Sequence, residues 1–117
     1  MASDDIPTLE TFTEGDTKAI VYLAIVDRNG AVESLVGKTV QIEGRKRGTA
    51  AEFTPIAATI TDAAAGECEA DLAALVSPSG AAGQFRCQTR IIEGGGSYMR
   101  SDPYKVVVRG AARLGLS

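Results

Sequence analysis

Gln84-Phe85-Arg86-Cys87-Gln88-Thr89-Arg90-Ile91-Ile92 is the stretch that decides the architecture. In an extended chain Phe85, Cys87, Thr89 and Ile91 fall on one side, and Gln84, Arg86, Gln88 and Arg90 on the other. This two-residue period is what a strand covered on one face requires. Glu67 to Leu72 repeats it, with Cys68, Ala70 and Leu72 inward and Glu67, Glu69 and Asp71 outward. Thr39 to Arg45 does the same, with Val40 and Ile42 inward and Gln41 and Glu43 outward. Lys18 to Val26 (KAIVYLAIV) is β-branched and almost wholly apolar. It hardly alternates, so it predicts a strand whose outer face is partly covered as well.

Weaker signals fill in the rest. Thr8 to Thr13 reads as a short first strand around Leu9 and Phe12. Phe53, Ile56, Ala58 and Ile60 are core candidates, with Pro55 marking a bulge or an edge. Val32 to Gly37 is a connection with Leu35 and Val36 as apolar anchors, and Ala73 to Ser77 is a helical turn stopped by Pro78 and Gly80. Ser97 to Met99 and Tyr104 to Arg109 form the last strand region, bent at Asp102-Pro103. Glu14-Gly15-Asp16, Asn29-Gly30 and Asp62 to Gly66 supply turns. Strands and turns at this spacing predict an all-β protein, an Ig-like β-sandwich of about seven antiparallel strands. Residues 1–8 form an N-terminal arm, 9–109 the sandwich domain and 110–117 a C-terminal tail.

Composition narrows the function. The chain has 117 residues, enough for one domain, and only 5% are aromatic, so Ala, Val, Ile and Leu must build the core. The formal net charge is −3, which speaks against a nucleic acid partner. No apolar run approaches the length of a membrane span, and Met1 to Pro7 lacks the basic and apolar regions of a secretory signal. The expectation is a chain made in the cytosol.

Histidine is absent, which removes the commonest general base and metal ligand and any Ser-His-Asp or Cys-His site. The sequence therefore predicts a non-enzymatic protein with no catalytic residue, cofactor or metal. Asp27-Arg28-Asn29-Gly30 lacks the remaining ligands of a calcium loop and reads as a hairpin turn. Cys68 and Cys87 fall inward on different strands; a disulfide would join the two sheets, but in a cytosolic chain two reduced thiols are expected. Arg45-Lys46-Arg47 is either a phosphate patch or a solvated turn, and the turn is preferred because charge at a strand end discourages edge pairing. The acidic stripe Glu67, Glu69 and Asp71 reads mainly as a solubilising face, the other reading being a match for outward Arg86 and Arg90, within the molecule or across a contact. Gly94-Gly95-Gly96 reads as a hairpin tip.

Gly15-Asp16-Thr17, the apolar strand to Val26-Asp27, Asn29-Gly30 and Leu35-Val36-Gly37-Lys38-Thr39-Val40 together resemble the N-terminal Ig-like domain of the upper-baseplate (BppU-type) proteins of tailed bacteriophages. Ile60-Thr61-Asp62, Gly83-Gln84-Phe85 and Tyr104 to Val108 continue the similarity, with Phe85 where the family carries Tyr. The resemblance implies a structural protein of the virion that binds other virion proteins in many copies, as a baseplate or tail adaptor or a capsid-decorating module. The alternative is a receptor- or carbohydrate-binding module, for which Tyr22, Tyr98 and Tyr104 are the tyrosines on hand. Parts reaching beyond the core are the expected interface: Ile6 and Pro7 in the arm, Gly94, Gly95 and Gly96 at the hairpin tip, and Leu114 and Leu116 in the tail.

Overall fold

The computed structural model describes residues 6–78 and 81–110. Along the chain run β1 (Thr8–Thr13), β2 (Ile20–Ala24), β3 (Thr39–Lys46), β4 (Ile56–Ala57), β5 (Thr59–Asp62), β6 (Glu67–Asp71), the single helical turn α1 (Ala73–Val76), β7 (Gly83–Ile92), β8 (Tyr98–Arg100) and β9 (Tyr104–Arg109). They form two sheets packed as a sandwich. The larger has the order β1-β9-β7-β3-β4, with β8 also on β7; the smaller is β2-β6-β5.

β7, the strand of the decisive stretch, organises the larger sheet. One edge pairs with β3 from Lys46↔Phe85 to Thr39↔Ile92. The other edge is divided: Gly83 to Cys87 pair with β9, and Arg90 to Ile92 with β8. Ser101 bridges the handover. Its Oγ accepts the Thr89 N–H at 3.0 Å and its own N–H donates to the Thr89 carbonyl at 2.9 Å, so neither backbone group of Thr89 is left unpaired.

One pairing departs from the antiparallel expectation: β1 runs parallel to β9. Nearly the whole domain separates the two strands, so no tight hairpin constrains their direction. A bulge between Thr8 and Glu10 explains how Leu9 and Phe12, three residues apart, both pack against the core.

The core is built from the inward positions. Val21, Ile42, Leu72, Val76, Phe85, Cys87, Tyr104, Val106 and Val108 form one buried cluster, and Leu35, Val40, Cys68 and Ile91 a second. Phe53 packs edge-to-face on Phe85 with ring centroids 6.1 Å apart. Thr89 is the buried polar residue among those described, and its Oγ1 shares a 2.9 Å hydrogen bond with the Tyr104 hydroxyl. Cys68 and Cys87 are free, buried thiols, one in each sheet. Burial pushes the Cys87 thiol up to about 12 and raises that of Cys68. Desolvation likewise raises the Tyr104 hydroxyl.

Three expectations need correction. Val36 is 65% exposed, because Lys38 N–H closes a turn onto the Leu35 carbonyl and leaves Val36 at its tip; Leu35 alone anchors that connection. The outer face of β2 is not covered: it is an edge strand with no layer outside it, and Tyr22 is 71% exposed. Within one molecule the acidic stripe on β6 does not meet Arg86 and Arg90, because those side chains leave the opposite sheet.

Candidate functional site: a cationic cleft on the larger sheet

The register of the larger sheet sets Arg45 directly opposite Arg86, and Arg86 directly opposite Lys105. Three cations thus stand in one row across β3, β7 and β9. Like charges facing each other across a ladder destabilise a sheet by a fraction of a kcal/mol each, roughly 0.2–1. No ion pair with a described residue relieves any of the three.

This row forms one side of a cleft. Its walls are the Arg45 to Gly48 segment and, opposite, Lys105 with Ile6; its floor is Gln84 to Arg86. Two contacts shape it. The Arg47 N–H donates to the Gln84 carbonyl at 2.7 Å, which draws the end of β3 over β7. The Lys105 N–H donates to the Pro7 carbonyl at 2.8 Å, which draws the arm in and makes Ile6 a wall. Arg45, Lys46, Arg47, Arg86 and Lys105, five of the twelve basic residues, line the cleft, and no described carboxylate does. In a chain of net charge −3 such concentration is a local field, not an average property. Its donors, with an apolar wall, suit a carboxylate-bearing surface.

The other end of this face is different. Glu43 pairs with Arg90 at 3.8 Å and with Arg100. Both guanidiniums lie over the Tyr98 ring, 4.1 and 4.9 Å from its centroid. Here one carboxylate serves two guanidiniums, and the cluster ties β3, β7 and β8 together.

The smaller sheet carries the opposite sign. Glu67, Glu69 and Asp71 leave the outer face of β6, and Tyr22 lies opposite Glu69. Asp71 is committed to the fold: its Oδ1 accepts the N–H groups of Ala19 and Ala73, each at 3.0 Å. Glu67 and Glu69 have no such duty.

The sequence reading meets this geometry unevenly. Ile6 lines the cleft and Pro7 holds it through its carbonyl. Arg45 and Lys46 end β3, and the turn is shorter than the sequence suggests: it begins at Lys46, whose carbonyl accepts the Thr49 N–H at 3.1 Å, with exposed Arg47 and Gly48 at its bend. Gly94, Gly95 and Gly96 cap the β7–β8 hairpin at the far end of β7, roughly 20 Å from the cleft along the strand; the Gly96 N–H donates to the Glu93 carbonyl at 2.9 Å and closes the turn. Leu114 and Leu116 lie outside the described residues. Cys68 and Cys87 are in the core, away from either face. Lys105 was missed: it carries no local signal, and only the strand register brings it to Arg86.

No protein-family model and no curated protein matches the chain. Several solved structures are similar to it in fold. One is an uncharacterized protein of Listeria monocytogenes EGD-e, solved in complex with α-D-glucose, β-D-glucose, magnesium and calcium; it is 17% identical, with a TM-score of 0.51 over 91% of this chain. The chain spans 8% of the length of that protein. Another is CopC from Methylosinus trichosporium OB3b, 13% identical, with a TM-score of 0.50 over 91% of this chain and 88% of CopC. At these identities the likeness is one of fold: the chain is an Ig-like β-sandwich.

Proposed function

We propose that the protein is a non-enzymatic structural component of a tailed-bacteriophage virion, docking onto other virion proteins at the baseplate, tail or capsid surface. The observation that carries the docking role is the row Arg45–Arg86–Lys105, in which Glu52 stands across from Arg45 without forming an ion pair and Arg86 and Lys105 face only cations or neutral groups, so that an acidic partner surface would balance it. The phage setting rests on the resemblance of Gly15-Asp16-Thr17, Asn29-Gly30 and Leu35 to Val40 to the upper-baseplate domain. Mass spectrometry of purified particles tests the reading: the protein is expected in stoichiometric amounts, and its absence from particles sinks it.

A receptor- or carbohydrate-binding module is the second reading, drawing on the exposed Tyr22 ring. Tyr104 is buried and Tyr98, though 47% exposed, has two guanidiniums against its ring, so a sugar platform would draw chiefly on Tyr22. A glycan-array signal abolished by Tyr22→Ala would favour it over assembly.

A further inference from the structure

We infer that the cationic cleft takes the acidic outer face of a second copy of this chain, so that copies join head to tail. The inference rests on reading the cleft as a docking surface and names its occupant.

Charge complementarity is the first argument. The row Arg45–Arg86–Lys105 crosses three adjacent strands and so spans roughly 10 Å, while Glu67 to Asp71 spans roughly 13 Å along one strand. The two arrays are of one length scale and opposite sign. They lie on the outer faces of opposite sheets, so one molecule cannot bring its own pair together. Glu67 and Glu69 have no partner among the described residues, and neither do Arg45, Arg86 and Lys105.

The second argument is the chemistry at the centre of the acidic face. Tyr22 stands opposite Glu69, exposed on an edge strand. A Tyr ring beside a carboxylate is a seat for a guanidinium: the ring face attracts the cation while the carboxylate accepts its N–H groups. The protein already builds this arrangement from Tyr98, Glu43, Arg90 and Arg100. On the smaller sheet the tyrosine and the carboxylate are in place and the guanidinium is missing. Arg86 of another copy supplies it.

Such a contact joins two different patches, so it propagates instead of closing after two subunits. Sedimentation velocity tests this with the purified protein and two variants, Arg45→Gln with Arg86→Gln and Glu67→Gln with Glu69→Gln. The wild type is expected to form species larger than dimers at about 10 mM salt and to return to monomer at about 1 M. Each variant alone is expected to associate at least about tenfold more weakly. Mixed together, the two variants keep one working cleft and one working acidic face between them, and are expected to stop at a 1:1 dimer. A wild type that is monomeric at low salt, a variant that still assembles alone, or a mixture that stays monomeric overturns the inference. Association that survives high salt also overturns it and points to the exposed Val26, Val32 and Val36 instead. None of these readings needs a particle, so a monomeric protein that is nonetheless found in virions ends the self-docking while leaving the virion assignment standing.

Discussion

At the scale of single residues, the core holds a few polar groups whose states are set by burial. Cys87 is the clearest. Its ordinary value is 9.0 and burial pushes it up to about 12, so the folded chain keeps a proton that the unfolded chain releases from about pH 9. The stability contributed by burying the neutral thiol is complete below that pH and is lost as pH climbs toward 12. Tyr104 titrates with the same sign. The melting temperature is therefore expected to hold on the neutral side of pH 9 and to fall steadily above it, with a shallower fall in Cys87→Ala. Thr89 and Tyr104 satisfy each other's hydroxyls. Thr89→Val leaves the Tyr104 hydroxyl buried without its partner and is expected to cost about 1–3 kcal/mol in urea denaturation. Adding Tyr104→Phe should recover most of that loss, since removing both members leaves nothing unpaired.

At the scale of elements, β3 and β7 show what the sequence made legible and what it did not. Alternation in Gln84 to Ile92, Thr39 to Arg45 and Glu67 to Leu72 was readable because wet and dry faces demand different side chains at successive positions. The inward sets match the buried sets residue for residue at Phe85, Cys87, Thr89, Ile91, Val40, Ile42, Cys68, Ala70 and Leu72. Alternation says nothing about which strand lies alongside or in which direction. That is why the parallel β1–β9 pair, the division of β7 between β8 and β9, and the meeting of Arg45, Arg86 and Lys105 were out of reach. Gly44 belongs to the same category. It reads as an ordinary strand residue, yet a Cβ there would come within 2.1 Å of the Arg86 carbonyl oxygen on β7. Gly44→Ala must push the two central strands apart and is expected to cost on the order of 3 kcal/mol. Gly95→Ala, in the hairpin tip with nothing within 4 Å, is expected to change stability by less than about 0.5 kcal/mol in the same melt.

At the scale of the whole molecule, the sandwich sets a row of cations on the larger sheet against an acidic stripe on the smaller, within a chain whose net charge is small. The acidic side divides further between structure and surface. Asp71→Asn weakens the acceptor for two backbone N–H groups and is expected to lower the melting temperature measurably. Glu67→Gln with Glu69→Gln should leave it unchanged within about 0.5 kcal/mol, because neither carboxylate holds any part of the fold. The same double substitution can thus report on docking without disturbing the protein that docks. The parallel alignment of β1 with β9 has a mechanical consequence. The chain enters β1 at Thr8, beside Lys105, and leaves β9 at Arg109, beside Thr13, so the two exits point away from each other at opposite ends of one ladder. Tension along the chain would pull the rungs from Thr8↔Lys105 to Thr13↔Arg109 sideways all together instead of peeling them open one by one, a geometry suited to bearing load.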